Sequence, residues 1–293
     1  MTSPNLGLLL DVDGPIASPV TRTIAIDSIA DDLVALAAAG VPIAFITGRS
    51  DAFIREQVVD RLLEAGLADA LRRPGARMFG VFEKGAAWAG IDEHGMGEVT
   101  VDQTVALPPS VVDAVRSLVA DDFAPWMFFD ETKLAMVSVE QRTEVGTADY
   151  HAAQARFQDA VFDLVVAAGL GLRYGERVVP DAHGEVPFRV DPTIISTDVE
   201  SVRLDKDRGA ERALAALGAR GPLPRRWVSV GDSRSDYFMA DHLHAVGLDA
   251  AHLDVRPADG VLERPYPVLT ADGLVHDEAG ARFLADWRSE LGV

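Results

Sequence analysis

The chain has 293 residues, 48% of them hydrophobic, and no Cys; this is material for one large domain or two ordinary ones, without disulfides or thiolate metal sites. A formal charge of −19 makes nucleic acid or an anionic membrane surface a poor partner, because either requires a net supply of Lys and Arg. No apolar stretch is long enough for a bilayer, and no basic segment followed by a hydrophobic one stands at the amino terminus, so a cytoplasmic protein is expected.

In chain order, residues 6–11 read as a buried strand that ends on Asp11-Val12-Asp13-Gly14. Two acids one residue apart point to opposite sides of an extended chain, so both can face one substrate only if the backbone turns there, and Gly14 permits the turn. A helix is expected over 28–39, stopped by Gly40, and a second strand over 42–46 that runs into Thr47-Gly48-Arg49. Phe53, Ile54, Val58, Leu62 and Leu63 give 51–65 the spacing of an amphipathic helix, and 78–82 reads as a third strand. This alternation implies an α/β fold with a doubly wound parallel sheet.

After about residue 84 the rhythm changes. Strand-like runs at 98–105, 126–129 and 134–139 stand among helical patterns at 109–120 and 148–168, as in an α+β insertion. The α/β rhythm resumes with a helix over 207–217, a strand over 227–230 that leads into Gly231-Asp232-Ser233-Arg234-Ser235-Asp236, and a closing helix over 283–291. The expected division is a core of 1–83 and 197–293 with an inserted domain of 84–196, hinged near residues 83 and 196.

Strand ends of one parallel sheet converge on one crevice. Asp11 and Asp13 follow the first strand, Thr47 the second, and Asp232 and Asp236 a later one, while Lys206 stands just before a helix. The sequence has only three Lys, at 84, 133 and 206, so a Lys in this company carries weight. A phosphate ester would meet a carboxylate nucleophile, a second acid, a hydroxyl and an ammonium. Like charges about 4 Å apart repel by roughly 4 kcal/mol at an effective dielectric of 20, so these acids around a phosphate require a divalent cation. Oxygen donors without Cys favour Mg²⁺. His242 and His244, two apart on a helix, do not share a face and do not suggest zinc.

Asp-Val-Asp-Gly, Ile-Thr-Gly-Arg, the intervening Lys206 and Gly-Asp-Ser-Arg-Ser-Asp, in that order, resemble the four motifs of the haloacid dehalogenase-like superfamily. The resemblance implies that Asp11 is the nucleophile that forms an aspartyl-phosphate and that Asp13 protonates the leaving alcohol and then activates water. It implies further that Thr47 and Lys206 hold phosphoryl oxygens, with Gly48 and Arg49 beside them at the substrate. Mg²⁺ would be bound by Asp11, the Asp13 carbonyl and Asp232, while Asp236 is a further ligand or a partner for Lys206. Pro15 stands where relatives commonly place Thr.

The long interval from Thr47 to Lys206 matches the position of a type-two α+β cap, which in this superfamily selects the substrate. Glu83-Lys84-Gly85-Ala86 is placed like the Asn-Gly-Ala turn that begins the cap in many sugar-phosphate phosphatases, with Lys replacing Asn. Glu131-Thr132-Lys133 with Arg142 is similar to a Glu-x-Lys and Arg arrangement in trehalose-6-phosphate phosphatases, although their last motif typically reads Gly-Asp-Asp-x-Thr-Asp. The expectation is a phosphomonoesterase whose partner is a small phosphorylated metabolite, a sugar or polyol phosphate. A phosphomutase and a catalytically silent phospholigand-binding protein are the alternatives.

Overall fold

The computed structural model describes residues 5–293, and the chain falls into two compact units: the chain up to Thr100 with Asp205–Val293, and Val101–Leu204. In the first unit, six parallel strands lie in the spatial order Val268–Leu269, Asp249–Asp254, Arg226–Gly231, Gly7–Leu10, Ile43–Ile46 and Met78–Phe82. The inner strands are apolar and buried on both faces, as helices on both sides require. One face is covered by the helix Lys206–Ala219, whose Ala210, Ala213 and Leu217 recur at helical spacing, and by Tyr237–Ala245. Asp27–Ala38 packs against His276–Leu291. Successive strands depart in opposite directions on either side of Gly7–Leu10, and that reversal opens a crevice at its carboxyl end, where Asp11 sits.

The expected helix over 51–65 forms with an interruption. Asp51–Ile54 and Asp60–Glu64 flank a π-helical turn over Arg55–Val59, the wider winding that one extra residue produces. Ser50 caps its start, its hydroxyl accepting from the Phe53 amide at 3.4 Å.

The second unit has a six-stranded sheet in the order Arg177–Val179, Leu172–Tyr174, Phe188–Pro192, Ser196–Ser201, Val137–Gln141 and Met127–Phe129. Val137, Val139, Val190 and Val199 pack with Val111 and Val115 of the helix Pro109–Leu118 and with Tyr150, Phe157 and Val161 of the helix Thr147–Ala167. By strand alternation the opposite face carries Ser138, Glu140, Arg189, Asp191, Asp198 and Glu200.

The division at 84–196 is corrected to 101–204. Ala87–Asp92 and Gly95–Met96 extend the first unit's sheet as antiparallel strands, and Ser196–Ser201 is a strand of the second unit's sheet rather than a hinge. An antiparallel return strand needs only a tight turn. In the sequence, the turn after Phe82 therefore reads the same whether it leaves the sheet or re-enters it.

Candidate active site

The first strand hands the chain to a tight turn. The Asp11 amide donates to the Val230 carbonyl at 2.9 Å, the Ala17 and Ile16 amides both reach back to the Val12 carbonyl, and the Gly14 amide donates to Ala17. Gly14 has φ +98, and a β-carbon there would lie 2.8 Å from the Asp232 carboxyl carbon. The residue thus supplies both the left-handed turn and the space that lets Asp232 approach it.

Lys206 opens the helix Lys206–Ala219, with Asp205 as its N-cap. Its ammonium donates to Asp11 Oδ1 at 2.6 Å and to the Ile46 carbonyl at 2.8 Å, and forms an ion pair with Asp236 Oδ1 at 2.7 Å. Asp236 Oδ2 accepts from the Asp232 and Ser233 amides at 3.1 and 2.9 Å and from the Ser233 hydroxyl at 2.7 Å. Asp236 therefore fixes Lys206 and the loop after the strand Arg226–Gly231. A side chain at Gly231 would collide with it.

These contacts set the protonation states. Burial acts against the charged form of Lys206, but Asp11 and Asp236 overcome it and hold the group as an ammonium. Burial also opposes ionisation of Asp236, yet Lys206 and the Ser233 hydrogen bonds hold its carboxyl below the usual range. Asp11 is pushed well up by burial and then by Asp236, against Lys206. Asp232 is raised to about 6 by burial and by Asp236.

Oxygen atoms of Asp11, Asp232 and Asp236 all lie within 4.8 Å of one another, and the Lys206 ammonium with the Arg256 guanidinium, 3.7 Å from Asp232, does not offset three carboxylates. This hard-oxygen donor set fits a divalent cation such as Mg²⁺. Asp11, Asp232 and Asp236 are the side chains that could hold it, Asp236 with its Oδ2 already accepting three hydrogen bonds and its Oδ1 2.7 Å from the Lys206 ammonium.

Thr47 is buried, and its hydroxyl accepts from the Arg49 amide at 3.0 Å. Arg49 grips Asp13 with a two-pronged ion pair, Nε to Oδ2 at 3.0 Å and Nη2 to Oδ1 at 3.1 Å. Glu83 and Lys84 have φ +48 and +54, an unfavourable backbone for residues with side chains. They are stitched to the Thr47 loop by Glu83 N to Arg49 O at 3.1 Å and Lys84 N to Thr47 O at 3.0 Å. Both residues belong to the first unit and stand at this crevice, not at the start of an inserted domain.

Two residues beside Asp232 escape sequence reasoning. Arg256 Nη1 and His276 Nδ1 each lie 3.7 Å from Asp232 Oδ2. The Val255 amide donates to Gly231 and the His276 amide to Val255, which draws both segments to the crevice. Recognising Asp249–Asp254 as a parallel strand would have flagged its carboxyl end, but its sequence, Asp-Ala-Ala-His-Leu-Asp, has too few β-branched residues to stand out.

In the second unit, Glu131, Lys133 and Arg142 do not form one cluster through the contacts seen. Glu131 pairs with Arg116 at 2.9 Å and Lys133 lies 3.6 Å from Asp130. Arg142 Nε donates to the Ala124 carbonyl at 2.5 Å. Hairpin pairing of Met127–Phe129 with Val137–Gln141 puts Arg142 at the open end and Lys133 in the connecting loop.

No protein-family model matches the chain, and no curated protein matches it. Solved structures do. The C-terminal domain of the trehalose-6-phosphate phosphatase of C. albicans is 14% identical with a TM-score of 0.63, over 98% of this chain and 92% of that one. A haloacid dehalogenase-like hydrolase from Bacteroides thetaiotaomicron is 12% identical with a TM-score of 0.57, over 96% and 98%. The IMP-nucleotidase of Plasmodium falciparum is 11% identical with a TM-score of 0.53, over 95% of this chain and 60% of that one. With the parallel sheet, its strand-end acids and the lysine between them already in place, these likenesses show that the chain has the fold of the haloacid dehalogenase-like hydrolases.

Proposed function

We propose that the protein is a Mg²⁺-dependent phosphomonoesterase acting through Asp11 on a small sugar or polyol phosphate. The observation that carries this reading is the Asp11–Lys206–Asp236 ion-paired row beside Asp232, set at the carboxyl ends of parallel strands. Lys206 holds Asp11 Oδ1, which leaves the other oxygen to attack phosphorus. The phosphorus–oxygen bond to the alcohol breaks as the Asp13 carboxyl gives its proton to the leaving oxygen. Water then returns a proton to Asp13, its oxygen attacks phosphorus, and the bond to Asp11 breaks to release inorganic phosphate. Asp11 and Asp232, with Asp236 beside them, would hold Mg²⁺, which would supply positive charge to the phosphoryl group. Arg49 must release Asp13 before the acid can act, and an arriving phosphate competes for the same guanidinium fork.

The test is hydrolysis of an aryl phosphate, with Mg²⁺ or with a chelator, by the native chain and by Asp11→Asn. Metal-dependent release of phosphate that the variant loses is expected, and normal metal-independent turnover by the variant would sink the reading. A panel of phosphorylated metabolites that includes trehalose 6-phosphate and IMP then ranks substrates. Measuring free phosphate against isomer formation separates hydrolysis from mutase chemistry.

A further inference from the structure

At the end of the first unit's sheet opposite Asp11, the segments that lead into the strands enclose a cavity of about 320 Å³. Asn5, Pro42, Arg77, Arg220, Leu223 and Arg225 are among its lining residues. Arg77 immediately precedes Met78–Phe82, Arg225 precedes Arg226–Gly231, and Arg220 follows the helix Lys206–Ala219. At about 3.3 Å per strand residue, this cavity is roughly 20 Å from the crevice that Glu83 reaches.

Arg77 is the unusual member. It is only 7% exposed, and its Nη1 and Nη2 donate to the Leu217 and Pro222 carbonyls at 3.2 and 2.5 Å. Its Nε is buried without a hydrogen-bond partner. Among the described residues no carboxylate is ion-paired with Arg77, Arg220 or Arg225, although the chain holds 46 acidic residues against 27 basic ones. A guanidinium withdrawn from water costs free energy unless an opposite charge meets it, and carbonyl dipoles offset only part. Burial accordingly lowers the pKa of Arg77. Arg220 and Arg225 are exposed at the cavity, so the desolvation cost falls on Arg77, whose unpartnered Nε lies beside two guanidinium groups that no carboxylate occupies.

We propose that this cavity binds a small anion bearing a phosphate or carboxylate group, held by Arg77, Arg220 and Arg225. Planar guanidinium forks suit both oxyanions. The site is independent of the phosphatase reading, because its occupancy is measured without turnover.

The experiment follows the melting temperature of the full chain, in chelator, against inorganic phosphate and against citrate, with sodium chloride at equal ionic strength as the reference. It compares the native protein, Arg220→Gln/Arg225→Gln and Thr47→Ala. The first variant leaves the buried Arg77 and the crevice untouched, and the second alters only the crevice. The expected result is stabilisation beyond the chloride reference in the native chain and in Thr47→Ala. In Arg220→Gln/Arg225→Gln the apparent affinity should fall at least about tenfold, with aryl phosphate hydrolysis unchanged. A response to phosphate alone identifies a phosphoryl ligand and a response to citrate alone a carboxylate ligand; either supports the site. Titrations of the double variant that coincide with the native ones, or no shift beyond chloride with either anion, would overturn it.

Discussion

Two clusters of buried charged groups differ in how the charge is balanced. On the second unit's sheet each named cation meets an acid, Arg189 binding Glu200 and Lys133 lying beside Asp130, while Asp198 accepts from the neutral Ser138. At the crevice of the first unit, Asp11 and Asp236 share one ammonium and Asp232 has Arg256 at 3.7 Å, so three acids face two cations, and two of the three have raised pKa values. Cations already met by acids leave little surplus charge for a ligand to neutralise. An unbalanced cluster is poised to take up a cation and a reacting phosphate, because binding relieves repulsion that folding left in place.

The sharpest way to break this contrast is Asp11→Asn. Turnover should fall by about 10⁴-fold or more. The variant should also melt no lower than the native chain, since it removes a carboxylate whose ionisation the fold resists. An equal loss of stability and activity, by thermal melting and initial rates, would mean that Asp11 is there for structure. Lys206→Met is the converse test. It strands Asp236, which is completely buried, and Asp11 without their shared cation, so chemical denaturation should show a loss of about 3–5 kcal/mol.

A third test separates crevice charge from ordinary core burial. His252 is fully buried, hydrogen-bonded to Ser229 at 2.7 Å, and burial lowers its pKa to about 4 from an unfolded value of 6.5. A base with a depressed folded pKa is held neutral, so its contribution is complete above pH 6.5 and is lost as pH falls toward 4. Across that window the unfolded chain binds the extra proton, and about 3 kcal/mol of stability is at stake. His252→Gln should flatten this part of the stability–pH curve, and an unchanged slope would locate the acid sensitivity elsewhere. The smallest effect belongs to Arg142→Ala. With its guanidinium on the Ala124 carbonyl, the variant should lose about 1 kcal/mol and keep its turnover, whereas a large rise in KM would make Arg142 a substrate contact.

The parts of the site that can be read from the sequence are those written in contiguous residues. An apolar run ending in Asp11-Val12-Asp13-Gly14, another ending in Thr47, and a third ending in Gly231-Asp232 announce strand ends, because both the buried-strand pattern and the turn chemistry are local. Lys206 was legible for a similar reason: it stands at a helix start among scarce lysines. The pairing of Arg49 with Asp13 and the approach of Arg256 and His276 to Asp232 are not, since each joins segments far apart in sequence.

The sequence by itself determined the parallel core, its strand-end acids and the existence of an insertion, because hydrophobic periodicity is imposed residue by residue. The tertiary structure alone decided where that insertion begins. Ala87–Asp92 returns along Met78–Phe82 as an antiparallel strand, and partner choice in a sheet depends on which edge is vacant, a property of the assembled fold. Tertiary structure also decided what surrounds Asp236. Its position in Gly-Asp-Ser-Arg-Ser-Asp allowed a ligand or a support, and only the assembled fold brings Lys206 to its Oδ1, the Ser233 loop to its Oδ2, and Asp11 and Asp232 to within 4.8 Å.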